Sequence, residues 1–217
     1  AAKGGTLLLA GTSPNLTLHG QITGNGLLKK TGNGELTLTA SNDDWSGGLL
    51  VQGGNIILGS EEANIGGLGS GKLSLENTSL QMFNNTDSNS DNCAFDLVIP
   101  QGSNSWLHLD GRCSLTGSLE GSGTLNLETP FIRSGLNGDW SAFSGRILVS
   151  TSADNATFLP ANQNGFENAA IELSNNVAIV YMNSEDASIK IGELSGTSGS
   201  ELGSGGQGSN NITWIIG

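Results

Sequence analysis

The sequence predicts an all-β chain wound as a right-handed parallel β-helix, a single solenoid module over residues 1–217. Three observations predict it. Aliphatic and polar residues alternate over short runs, as at Leu36-Thr37-Leu38, Leu73-Ser74-Leu75, Leu107-His108-Leu109, Leu125-Asn126-Leu127 and Ile171-Glu172-Leu173. Such alternation puts the aliphatic side chains on one face of a strand. Glycine numbers 34 and proline only 4, so turns are frequent, and no apolar run keeps a helical period. The pattern also recurs along the chain, which is how stacked units announce themselves.

The first copy runs Leu16-Thr17-Leu18, Gly32-Asn33-Gly34-Glu35-Leu36-Thr37-Leu38, Asp44-Trp45-Ser46-Gly47 and Leu49-Leu50-Val51. The second runs Leu107-His108-Leu109, Gly121-Ser122-Gly123-Thr124-Leu125-Asn126-Leu127, Asp139-Trp140-Ser141 and Ile147-Leu148-Val149. Leu38 and Leu127 are 127 − 38 = 89 residues apart, which suits about four coils of roughly 22 residues, stacked at ~4.8 Å. The halves are then about 1–90 and 91–180, with a partial third copy over 181–217. A pair of β-sandwiches is the rival with the same strand content.

The polar segment Asn84–Asn92 separates the halves and reads as a long turn between coils. Within it, Asp87-Ser88-Asn89-Ser90-Asp91 has the first three ligand positions of a calcium loop. It lacks the glycine and the bidentate glutamate that complete one, so a plain polar turn is the expected reading, calcium is the alternative, and no metal ligand is assigned. Cys93 and Cys113 are one coil apart, a spacing open both to stacked core thiols and to a structural disulfide.

Eight Lys and Arg face 20 Asp and Glu, a net charge of −12. A nucleic-acid partner would need a basic surface, and anionic membrane or polyuronate is disfavoured for the same reason; a neutral polysaccharide is compatible. No apolar stretch reaches the ~20 residues of a membrane-spanning helix. The opening Ala-Ala-Lys-Gly-Gly is already in the repeat style, so the chain reads as a module of a longer protein.

The run Ile22–Gly26, Lys30-Thr31-Gly32-Asn33-Gly34-Glu35-Leu36-Thr37-Leu38, Trp45–Gly48, Gly53-Gly54 and Ile57-Leu58-Gly59 resembles the autotransporter-associated β-strand repeat. Residues 109–149 follow the pattern less closely, with an insertion before Phe143-Ser144-Gly145, and 189–217 follow it in outline. The resemblance implies a parallel β-helix and an exported protein, secreted or at the cell surface. It implies no one activity. In size and layout the chain is also similar to β-helical carbohydrate-binding modules of secreted bacterial xylanases, such as carbohydrate-binding module family 89. That likeness implies xylan or a related hemicellulose as ligand and a covalently linked glycoside hydrolase as partner.

Candidate chemistry is sparse. No Asp pattern repeats on adjacent coils, no pair of the twenty carboxylates is singled out, and neither cysteine has a plausible base. A non-catalytic module is therefore expected, with no cofactor. Sugar rings stack on exposed aromatic faces while carboxylates and amides bond their hydroxyls. Trp45 and Phe143 both precede Ser-Gly and read as packing residues. Trp140 directly follows the run Arg133–Asp139, within the extra segment 131–142, and reads as a binding platform. Trp106 precedes Leu107-His108-Leu109, so parity turns it outward with His108 and Asp110. The expected carbohydrate site is Trp140 and Trp106 for stacking, with Asp139, Asp110, His108 and Asn137 bonding hydroxyls. The alternative function is a structural or adhesive passenger segment of an exported bacterial surface protein.

Overall fold

In the computed structural model every strand pairing among the described residues is parallel. The structure describes residues 5–8, 14–58, 67–82, 92–109, 114–129, 134–151, 157–160, 162–163, 165–174, 177–181, 186–204 and 211–217. The chain is a β-solenoid with no helix among these residues. All-parallel pairing excludes the sandwich, whose hairpins would pair antiparallel.

Three sheets form its faces. A ten-stranded sheet, here the long sheet, runs from Leu16–Leu18 to Ile212–Ile216. A six-stranded flank runs from Gly5–Leu8 to Leu119–Gly121, and a second runs from Asn92–Cys93 to Glu201–Ser204. Among the described residues the two flanks occur together only around the middle of the chain, where Leu97–Ile99, Asn104–Leu109 and Ser114–Leu115 make one three-sided coil. The next coil is Leu119–Gly121, Thr124–Glu128 and Ser134–Leu136.

The core is a set of columns. On the long sheet Leu36, Ile56, Leu80, Leu107, Leu127, Val149 and Leu173 lie one above another and are all buried. Each contributes about 1.5–3 kcal/mol by leaving water. Four coils separate Leu36 from Leu127, so the stacking offset is 127 − 36 = 91 residues, not the 89 at which the motifs align. The flank column gives the same offset, Leu28 lying four coils from Leu119, so the stretch from flank to long sheet is equally long in both halves, 36 − 28 = 127 − 119 = 8. The Gly-x-Gly motif simply sits two residues earlier on its coil in the second half. A slide of two residues preserves strand parity, so the inward residues stay inward while the motif moves along the strand.

Lys30 is fully buried. Its Nζ donates to the carbonyls of Gly53 and Gly32, the latter at 3.3 Å. A Cβ on Gly54 would lie 2.6 Å from that ammonium and 2.1 Å from the Gly34 carbonyl oxygen. Gly54 also has φ of 66°, so glycine serves there on both counts. Four coils along the column from Gly34 comes Leu125, with Ile147 beyond it. The second half thus fills with hydrocarbon the space that the first half gives to an ammonium.

The register pairs Cys93 with Leu115, two residues beyond Cys113. Cys113 and the Asp87–Asp91 loop lie outside the described residues.

Burial lowers the Lys30 pKa from its ordinary 10.5. The folded chain then binds fewer protons than the unfolded chain just below that value, so stability rises with pH through the window. The parent should gain stability relative to a Lys30→Met variant as pH is raised from neutral towards 10.5. Urea unfolding of both proteins at several pH values checks this; a pH-independent difference contradicts it.

Candidate functional site

The strand Asn104–Leu109 alternates exposed and buried residues because one face meets the core. Trp106 and His108 therefore point outward, as parity predicts. Trp106 is 40% exposed, a large share for an indole. Parallel register sets Asn126 beside Trp106, Leu148 beside Asn126 and Glu172 beside Leu148. It likewise sets Glu128 beside His108, and Ser150 beside Glu128. Trp106, His108, Asn126, Glu128, Leu148, Ser150, Glu172 and Ser174 together line an open hollow of about 420 Å³.

Its polar groups are tied to one another. His108 Nδ1 and Glu128 Oε2 are 2.6 Å apart, both side chains about one third exposed. Asn126 Nδ2 donates to Asn104 Oδ1 at 2.6 Å and to the Ser105 carbonyl at 3.1 Å. Arg146 Nη2 pairs with Glu172 Oε2 at the far end. With Nδ1 engaged, His108 presents Nε2 to a ligand. The face offers one aromatic plane, one aliphatic side chain and a mixture of donors and acceptors. Among the described residues no group of three or more His, Cys, Asp and Glu could hold a metal ion.

The other expected residues lie elsewhere. Trp140 is only 1% exposed, which overturns its reading as a stacking platform. Its Nε1 donates to the Gly117 carbonyl at 3.3 Å, and its ring meets Phe166 edge-on with centroids 5.6 Å apart. The physical reason is that the extra segment is not a loop. Ser134–Leu136 is a strand of the second flank, so the added residues build a third side of the coil. Trp140 then falls at a buried corner, three residues before Phe143, as Asn42 does before Trp45. In both corners the later aromatic amide bonds the earlier carbonyl, at 2.8 Å for Trp45 and 2.9 Å for Phe143. Asn42 spans its neighbours with its amide, accepting from Ile22 N and donating to the Gly67 carbonyl. Trp140 covers the same kind of corner with apolar surface.

Asn137 and Asp139 are exposed but belong to this corner, at the junction of the two flanks. The Asn137 amide bonds the Leu115 carbonyl, and the Asp139 carbonyl accepts from Leu119 N. The Asp139 carboxylate accepts from Ser141 Oγ at 2.6 Å and Ser141 N at 3.0 Å, which holds its pKa below the ordinary carboxylate value. It is a turn cap, not a partner of Trp106. Asp110 lies outside the described residues. The structure thus brings together Trp106 and His108 and separates Trp140, Asp139 and Asn137 from them. The residues that sequence reasoning missed are Asn126, Glu128, Leu148 and Glu172. Their signal was the coil spacing, since Trp106 to Asn126 is 20 residues and Asn126 to Leu148 is 22.

Comparison with known proteins agrees with the solenoid and reaches no further than part of the chain. Over 64 residues, 29% of this chain, it is 36% identical to the Escherichia coli (strain K12) protein named "Probable autotransporter YfaL". The match covers 5% of that protein's length. No family model matches the chain, and no solved structure matches it significantly. The likeness supports the autotransporter-type repeat read from the Gly-rich motifs.

Burial separates the two tryptophans energetically. Trp140→Ala should cost about 3–5 kcal/mol, whereas Trp106→Ala should cost about 1 kcal/mol or less. Chemical denaturation of both variants checks the contrast; equal losses would contradict the assignment of Trp140 to the core and Trp106 to the surface.

Proposed function

We propose that this chain is a scaffold segment of an exported bacterial surface protein, non-catalytic in itself, whose stacked coils carry and space what the protein displays. The observation that supports this reading is the parallel solenoid together with its partial likeness to an autotransporter. The charges favour it too. Lys72 with Glu120, Arg146 with Glu172 and Lys190 with Glu167 each bridge different coils. Charged side chains used as ties between rungs serve the scaffold rather than a reaction centre. An antibody against this chain should label intact, unpermeabilised cells of the bacterium that makes it, and external protease should remove the label. Labelling that needs permeabilised cells would overturn the proposal.

A second reading is favoured by one specific observation, the exposed Trp106 beside His108, Asn126 and Glu128. An indole plane flanked by hydrogen-bonding groups suits a sugar ring. On this reading the module binds a neutral plant polysaccharide, with xylan the first ligand to test, and delivers a linked glycoside hydrolase to it. Affinity electrophoresis on xylan, mixed-linkage glucan, mannan and pectin decides it. Retardation on a neutral glycan, lost in Trp106→Ala, is expected; retardation on none of them would remove the glycan reading and leave the scaffold reading intact.

A further inference from the structure

The outer face of the long sheet carries an arrangement that the glycan reading does not by itself specify. Trp106, Asn126, Leu148 and Glu172 form one column, one residue per coil, running along the solenoid axis. Beside it runs a second column of His108, Glu128 and Ser150, with Ser174 lining the same hollow. The first column alternates in character: an aromatic plane, an amide, an aliphatic side chain, a carboxylate. The second is polar throughout. Apolar surface therefore recurs every second coil on one side of the hollow, at a separation of about 10 Å, and hydrogen-bonding groups follow it on the other side.

From this we infer that the hollow is a binding track for an uncharged β-linked pyranose chain lying parallel to the solenoid axis, with Trp106 and Leu148 supporting alternate sugar rings. The inference rests on the glycan reading above and adds to it the direction and the length of the ligand, and a local reason for its lack of charge. Three physical points carry it. An extended β-1,4-linked chain turns the same ring face outward at every second sugar, and the two apolar supports are spaced by about the span of a disaccharide. A chain laid across the sheet instead would leave the column after one ring, because inward residues flank each outward one along a strand. Charge selects the class. Glu128 and Glu172 both line the hollow, each already facing one cationic or protonatable partner, His108 and Arg146 respectively. A ligand carboxylate would meet acidic neighbours without a cation left to receive it, within a chain of net charge −12. Sugar hydroxyls, by contrast, donate both to the carboxylates and to His108 Nε2, the accepting nitrogen when Nδ1–H faces Glu128.

The roles are separable. Trp106, His108 and Glu128 occupy two adjacent coils and make a subsite for one end of the ligand. Leu148, Ser150, Glu172 and Ser174 make a second subsite, one to two coils further along. A disaccharide fills the first alone. A tetrasaccharide reaches both.

Isothermal titration with xylobiose, xylotriose and xylotetraose, on the parent, Trp106→Ala, Leu148→Glu and Leu148→Asn, tests this, with the melting temperature of each variant measured alongside. In the parent, affinity should rise with chain length. Trp106→Ala should weaken every length about tenfold. Leu148→Glu should remove the rise with length while leaving xylobiose as in the parent, and Leu148→Asn replaces it in that comparison if Leu148→Glu melts early. Length-independent affinity in the parent, or Leu148 variants that bind every length as the parent does, would overturn the axial track and leave the glycan reading standing. In affinity electrophoresis run alongside, polygalacturonate retarding the parent more strongly than xylan would overturn the uncharged class. No binding of any of these glycans would overturn the track and the glycan reading together.

Discussion

The parallel backbone ladder of the long sheet is the constraint on which the rest of the structure depends. Each coil both donates to and accepts from its two neighbours, Leu49 N reaching Lys72 O on one side and Gln52 N reaching Lys30 O on the other, at a spacing of ~4.8 Å, so corners as well as strands must pass one over another at that distance. A Cβ on Gly117 would sit 1.9 Å from the Phe95 carbonyl oxygen, and one on Gly138 would sit 1.9 Å from the Gly117 carbonyl oxygen. That is the same corner in successive coils. The glycine that in another chain would signal disorder is here a steric condition of stacking, and the close corners are what let Leu107 lie over Leu80 and under Leu127.

Within that frame the two halves solve one packing problem differently. The first keeps glycines at the corner and sends the Lys30 ammonium to the carbonyls of Gly32 and Gly53. The second carries its Gly-x-Gly motif two residues earlier, and Leu125 and Ile147 supply the volume. The second half also gains a flank, through Ser134–Leu136, which turns Trp140 from a prospective surface residue into a corner of the core. Burying a lysine costs desolvation that only good hydrogen bonds offset, so the apolar solution is the one with no pH dependence.

The same ladder decides what the surface can do. Because outward residues from successive coils are held in columns, a functional face arises from residues 20 or more positions apart that share no local motif. Cross-coil pairs such as Lys72 with Glu120 use those columns to tie rungs together. The hollow around Trp106 uses them to set an aromatic, an amide, an aliphatic and a carboxylate in line. A scaffold and a ligand track are therefore compatible uses of one surface, and the likeness to an autotransporter bears on the first of them.

The alternation at Leu36–Leu38, Leu107–Leu109 and Leu125–Leu127, the glycines between strands and the recurrence of both were enough to determine a parallel solenoid, because they depend on local parity and on turn sterics. Parity likewise determined that Trp106 and His108 face outward. Parity says nothing about register. Whether Leu38 or Leu36 shares a column with Leu127 depends on where each Gly-x-Gly motif sits on its coil, and the side of the coil on which Trp140 falls depends on whether the preceding segment forms a loop or a strand. Those choices are made by which arrangement buries the corner and satisfies its backbone. Only the tertiary structure therefore decided that Trp140 is core, that Asp139 caps a turn, and that Glu128, Leu148 and Glu172 stand with Trp106.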